Sequence, residues 1–275
     1  MSRLAQRFAA LRAARRAGLV IFVTAGDPHP ELTVELLHAL VAAGADVLEL
    51  GVPFSDPMAD GPVIQRASER ALAHGMDLRG VIDLVHEFRR SDAQTPVVLM
   101  GYLNPIEQMG VPRFAAAAAN AGVDGVLTVD LPFDEEPDYA AALKASGLDS
   151  IFLLAPTSGR ERARVVAERA TGFLYYVAVK GVTGAGQVDL ADVQAQVQAL
   201  RTHTPLPVGV GFGVRTPAAA AQIAGFADAV VVGSAVIELI EAAAGAGVTG
   251  TAALSGAVTL VRELRAGLEA VGGTQ

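Results

Sequence analysis

Cysteine is absent from the 275 residues, which excludes disulfides, thiolate catalysis and cysteine-ligated zinc and fits a cytosolic setting. Lysine is nearly absent: Lys144 and Lys180 alone are available to form a Schiff base. A basic surplus is also missing. Twenty-one Lys and Arg stand against 29 Asp and Glu, a formal net charge of −8, which argues against nucleic acid or an anionic membrane surface as partner. No run reaches the roughly 18 apolar residues that a membrane-spanning helix needs. The opening stretch, MSRLAQRFAALRAARRAG, lacks the continuous apolar core of a signal peptide. Leu4, Phe8 and Leu11 instead fall at helical spacing among five arginines and predict a short amphipathic helix.

Apolar residues are plentiful, at 52%. They gather in eight short runs: Leu19–Thr24, Asp46–Leu50, Pro96–Met100, Gly125–Val129, Ser150–Leu154, Phe173–Val177, Leu206–Val210 and Ala229–Val232. Alanine-rich segments of helical length separate them. Continuous apolar runs suit strands buried on both faces, and eight of them alternating with helices in a chain of about 250 residues point to a closed barrel. The expectation is therefore an α/β fold, a (βα)8 TIM barrel formed as one domain over residues 1–275, with an extra N-terminal helix. A doubly wound open sheet is the alternative, but no glycine-rich nucleotide fingerprint follows the first strand. Segment 244–256 reads as a loop before a last helix over about 257–270.

A local repeat supports this division. AGADVLEL, AGVDGVLTV and SGLDSIFLL each place a glycine, then an aspartate two residues later, then a strand; GFADAVVVG is a looser copy. Gly44, Gly122 and Gly147 suit left-handed helix ends. Asp46, Asp124, Asp149 and Asp228 then fall at the N-terminal ends of strands, the stability face of a barrel, and read as structural.

Glu49 has no such reading. It interrupts Val47-Leu48-Glu49-Leu50, where alternation turns Val47 and Glu49 into the barrel. Lost hydration there disfavours the carboxylate and raises its pKa toward that of a general acid usable at neutral pH. Pairing with a distant arginine is the structural alternative. The next loop, Gly51 to Pro62, holds three prolines and two aspartates beyond the glycines that bound it, as expected of a shaped loop at the barrel mouth. Asp60 lies in it, just before a helix starting near Pro62; taken alone it reads as an N-terminal cap.

The stretch LELGVPFSDPMADGPVIQ resembles the signature of tryptophan synthase alpha subunits. TAGDP (Thr24–Pro28), Tyr102-Leu103-Asn104-Pro105, APTS (Ala155–Ser158), GFLYYV (Gly172–Val177), GVTG (Gly181–Gly184), GFGV (Gly211–Val214) and VGSA (Val232–Ala235) continue the likeness in order along nearly the whole chain. The resemblance implies cleavage of indole-3-glycerol phosphate to indole and glyceraldehyde 3-phosphate, with Glu49 and Asp60 as catalytic pair. It further implies that Thr183 closes over the site by bonding Asp60 and that Tyr175 lies beside Glu49. Among Phe22, Ile64, Met100, Tyr102, Leu127 and Phe212 it implies an indole pocket, with Met100 and Leu127 reading more readily as plain core. No cofactor is expected in this chain; pyridoxal phosphate is expected only in a beta subunit, the partner in an α2β2 heterotetramer. Pro53, Asp56, Pro57, Asn104 and Pro132 would form the rim that meets it.

Barrels often bind phosphate on the loops after strands 7 and 8 and on a helix N-terminus. Gly213, Gly233 and Ser234 occupy those places, Ser234 as a candidate helix cap, and Gly184 after strand 6 would complete the cradle. An imine-forming aldolase on the same fold would use Lys180, just past strand 6. A metal-dependent one is disfavoured, since His29, His38, His74, His86 and His203 show no ligand spacing on strand ends.

Overall fold

The apolar runs form β1 (Gly18–Thr24), β2 (Val47–Gly51), β3 (Val97–Gly101), β4 (Gly125–Thr128), β5 (Asp149–Leu154), β6 (Leu174–Val177), β7 (Val208–Gly211) and β8 (Ala229–Val232). The computed structural model describes residues 1–131, 137–178, 189–211 and 213–272. Each strand pairs in parallel with its neighbours in sequence, and β1 pairs with β8, closing an eight-stranded (βα)8 barrel. The strand ends fall within two residues of those expected from the sequence.

Alternation along the strands sorts the core into two. Val20, Val47, Val98, Leu127, Ile151, Phe173, Ala229 and Val231 point inward. Leu19, Ile21, Leu48, Leu50 and Leu99 point outward into the larger layer beneath the helices. The expected N-terminal helix spans Arg3–Ala13, with Ser2 accepting from the Ala5 amide at its head. It buries Leu4, Phe8 and Leu11 against the inward set, so it stoppers one end of the barrel. The Phe8 and Phe173 rings lie 5.6 Å apart. Phe8→Ala is expected to lower unfolding stability by about 3–5 kcal/mol, since a void beneath the barrel floor cannot collapse. Urea denaturation measures it; a loss below about 1 kcal/mol would mean that the stopper contributes little.

The repeated aspartates act as the sequence suggests, as clamps on that same end. Asp46 accepts from the Leu19 amide at 3.0 Å and from Arg16 and Arg265 at 2.9 Å each. Asp124 accepts from the Val97 amide at 2.8 Å and from Arg3 and Arg89. Asp228 accepts from the Val208 amide at 2.9 Å and from Arg201. Each carboxylate stitches its own strand to the preceding one and finds its counter-charge on a helix. Asp149 differs, taking the Ser2 hydroxyl at 2.7 Å. Gly44, Gly122 and Gly147 all have positive φ, as their place at helix ends requires.

Segment 244–256 connects two helices as expected, with their ends reaching two residues into it and a short turn inside it. A helix runs Ser234–Gly245, a 3-10 turn covers Gly250–Leu254, and the last helix spans Ser255–Gly272. Alanine tolerates helix as well as loop, and Ala253 and Leu254 are buried, so packing decided what composition left open.

Candidate active site

The opposite, C-terminal end of the barrel carries the unusual side chains. Glu49 lies on β2 level with Phe22 of β1 and Val98 of β3. It is 1% exposed, and neither carboxylate oxygen has a hydrogen-bond partner. No arginine reaches it among the described residues, so the structural ion pair considered from the sequence is not there. Burial with nothing to offset it pushes its pKa from 4.5 to about 8. Tyr175, on β6, feels both its own burial, the larger effect, and the Glu49 charge, and its hydroxyl is held well above the usual phenol range.

Such a group weakens the fold where it must ionise. Because its folded pKa is raised, its contribution to stability is fully present below about 4.5 and is lost as the pH rises through about 8. Glu49→Gln never ionises and escapes that loss. Its melting temperature is expected to exceed wild type by a margin that grows between those pH values; a margin independent of pH would contradict the neutral carboxyl.

Asp60 sits in the loop that follows. The loop is shaped by local contacts: the Phe54 ring stacks on Tyr102 at 5.1 Å, and the Ala59 amide donates to the Tyr102 hydroxyl at 3.0 Å. The Gln65 side chain donates to the Asp60 carbonyl at 2.9 Å. The next helix, Pro62–Ala73, has Gly61 at its cap position with no side-chain cap, so Asp60 is free of the capping role that it suggests in isolation. Desolvation raises its pKa to about 6, with the Tyr102 hydroxyl pulling the other way.

Glu49 opens on a cavity of about 180 Å3 lined also by Phe22, Ile64, Met100 and Tyr175 and by Gly213, Gly233 and Ser234. A second lobe shares Phe22, Ile64 and Met100 and reaches Asp60 and Tyr102, along with Thr24 and Ser68. The two adjoining cavities share this apolar wall, with Glu49 lining one, Asp60 the other, and a glycine-lined rim on the first. Gly51 is needed here: a Cβ would come within 2.6 Å of the Phe22 ring. Gly211 is needed too, for its Cβ would meet the Tyr175 hydroxyl at 2.7 Å.

One expectation is corrected. Ser234 is the first residue of its helix rather than the cap, a place taken by Gly233; its side chain caps nothing and faces the cavity rim. Leu127 belongs to the inner core below the site, whereas Met100 lines both lobes. Thr183, Gly184, Phe212, Lys180 and Pro132 lie outside the described residues. Lys144 is exposed on the Pro137–Ala145 helix. The histidines are less scattered than expected, since His29 and His74 pack at 4.5 Å, but no group of three or more His, Cys, Asp or Glu gathers as for a metal ion among the described residues. Sequence reasoning missed Thr24, Ser68 and Val177 in the lining, which are too ordinary to attract notice singly. It also missed Met58, 86% exposed on the Asp60 loop.

A (βα)8 barrel whose C-terminal end carries two acids of raised pKa around apolar hollows has the build of a barrel enzyme. The model of the tryptophan synthase alpha chain family matches residues 8–265, and this chain belongs to that family, whose members cleave indole-3-glycerol phosphate in tryptophan biosynthesis. The tryptophan synthase alpha chain of Burkholderia thailandensis is 60% identical over 244 residues, covering 89% of this chain and 90% of that one. That of Dechloromonas aromatica is 57% identical over 271 residues, 98% and 99% of the two chains. The crystal structure of the alpha chain from Legionella pneumophila superposes with a TM-score of 0.91 at 44% identity, covering 100% of both chains.

Proposed function

We propose that Glu49 handles both protons of the cleavage and that Asp60 holds the indole nitrogen. The supporting observation is the pair of carboxyls, at about 8 and about 6, lining adjoining cavities that share Phe22, Ile64 and Met100. At neutral pH the first is largely protonated and the second largely ionised, the division of labour that acid–base catalysis needs. The Glu49 carboxyl gives its proton to the indole ring carbon that carries the side chain. Positive character then grows on the ring nitrogen, whose N–H donates to the Asp60 carboxylate. Glu49, now a carboxylate, takes the proton of the adjacent side-chain hydroxyl. The bond between ring and carbinol carbon breaks, its electron pair returns to the ring, and indole and glyceraldehyde 3-phosphate remain. Phe22, Ile64, Tyr102 and Tyr175 wall the indole, and the phosphate lies on Gly213, Gly233 and Ser234, where backbone amides at the head of the Ser234–Gly245 helix face an anion. By resemblance Gly184, Thr183 and Phe212 complete these contacts. The whole chain works as one domain in the cytosol.

The partner is a tryptophan synthase beta subunit carrying pyridoxal phosphate, in an α2β2 assembly to which this chain passes indole. Asp56 and Asn104 are exposed on the rim with Met58 between the two aspartates of the loop, an apolar side chain available for burial. Indole release from indole-3-glycerol phosphate, with and without beta subunit, tests the reading. Slow release that rises at least about tenfold with the partner is expected, a coupling of the usual allosteric size. No release under either condition would overturn the assignment. For the isolated chain kcat/KM is expected to be bell-shaped in pH, falling below about 6 as Asp60 gains a proton and above about 8 as Glu49 loses one.

A further inference from the structure

Beside the site, an ion network joins three elements that the reaction chemistry leaves unused. Arg70, on the Pro62–Ala73 helix, grips Asp27 with Nε at 2.7 Å and Nη2 at 3.0 Å, and its Nη1 reaches Glu241 at 2.8 Å. Arg66, one turn earlier on the same face, holds both oxygens of Glu241 at 2.6 and 2.8 Å. Asp27 is 2% exposed and lies just beyond β1. Glu241 is on the Ser234–Gly245 helix. Among the described ion pairs, Arg70 alone joins these two carboxylates. On the inner side of the same two helices, Ala67 and Ile237 pack on Phe22, with Val63, Ile64 and Met100 beside them.

The two helices joined in this way are headed by the two ends of the site. Asp60 immediately precedes the Pro62–Ala73 helix, and Ser234 opens the other. A ligand with an indole at one end and a phosphate at the other is held well only if the spacing between these helix heads matches its length. The small apolar cluster holds the helices together, but apolar contact is non-directional and does not by itself fix their register. A bidentate guanidinium with fixed fork geometry does.

We propose that Arg70 is a positioning residue for the cleavage: by bridging Asp27 and Glu241 it fixes the span between the Asp60 end and the Ser234 end, and so selects substrates that occupy both. This rests on the phosphate lying at Ser234. The outer layer thereby takes part in specificity without touching substrate. Buried Asp27 needs its partner, which makes the clamp stiff, while half-exposed Arg66 anchors Glu241 against drift.

The test compares three ligands on wild type, Arg70→Lys and Glu241→Gln. Arg70→Lys keeps the charge but loses the fork; Glu241→Gln leaves the Arg70–Asp27 contact in place, and its use guards against a lysine variant that folds poorly. The ligands are indole-3-propanol phosphate, which spans both ends and cannot be cleaved, glycerol 3-phosphate and indole. Both variants are expected to bind the spanning ligand about tenfold more weakly, with either one-ended ligand within about twofold of wild type. The pH profile of cleavage should keep both limbs. Unchanged binding of the spanning ligand, or equal weakening of all three, would overturn the proposal. Ser234→Asp, which sets a carboxylate at that helix head against the phosphate, separates the two levels in the otherwise unaltered chain. If it leaves glycerol 3-phosphate binding intact, the phosphate reading fails and this inference falls with it; if it weakens that binding, a null result at Arg70 and Glu241 refutes the positioning role alone.

Discussion

Glu49→Gln is expected to lower kcat for indole-3-glycerol phosphate cleavage by about 10³-fold or more, since a general acid or base alone contributes about 10²–10⁴-fold and this residue serves as both. Glutamine keeps the volume and fills the same place between Phe22 and Val98, so the barrel should not notice the change. What disappears is the transferable proton. KM should stay within a few-fold, because the carboxyl enters the reaction mainly at the transition state. The substitution also removes a group whose burial is unfavourable whenever it ionises, so the inactive variant should be the more stable protein at pH 8. That combination, dead but harder to melt, separates loss of chemistry from loss of fold. Single-turnover indole release measures it, and a variant within about tenfold of wild type would remove Glu49 from the chemistry.

Asp60→Asn is the second large effect, at about 10²–10³-fold in kcat, the usual result of removing one preorganised group aimed at developing charge. The carboxylate is useful because it meets positive character that exists only after the ring is protonated. Asparagine can still accept the N–H bond, so ground-state binding changes less than rate. The acid limb near pH 6 should vanish from the profile while the limb near 8 remains. Persistence of both limbs would mean that another group titrates at 6.

The fold was largely legible because a parallel barrel writes each strand as a short apolar run, and because aspartates such as Asp46 and Asp124 punctuate the entry to them. Glu49 was legible for the opposite reason, as a charge where every neighbour is apolar. Asp60 was not legible from its own surroundings: an aspartate ahead of a proline-started helix looks like a cap, and only the surrounding signature marked it. The structure supplied the reason, since Gly61 takes the cap position and the loop contacts with Tyr102 turn Asp60 toward the hollow. Within residues 244–256 only the short turn at Gly250–Leu254 was not legible, because alanine and glycine carry no periodic signal to mark the burial of Ala253 and Leu254. The Arg70 clamp was invisible for a different reason. Asp27, Arg70 and Glu241 are far apart in sequence, each unremarkable on its helix or loop, and their meaning is purely spatial.

The most direct test of the account is a titration of the Glu49 carboxyl itself, followed by its infrared C=O stretch in wild-type minus Glu49→Gln difference spectra. A protonated carboxyl that persists through neutral pH and disappears around pH 8 is the expected result. A midpoint in the ordinary range near 4.5 would show an ionised residue at neutral pH and contradict its role as the acid.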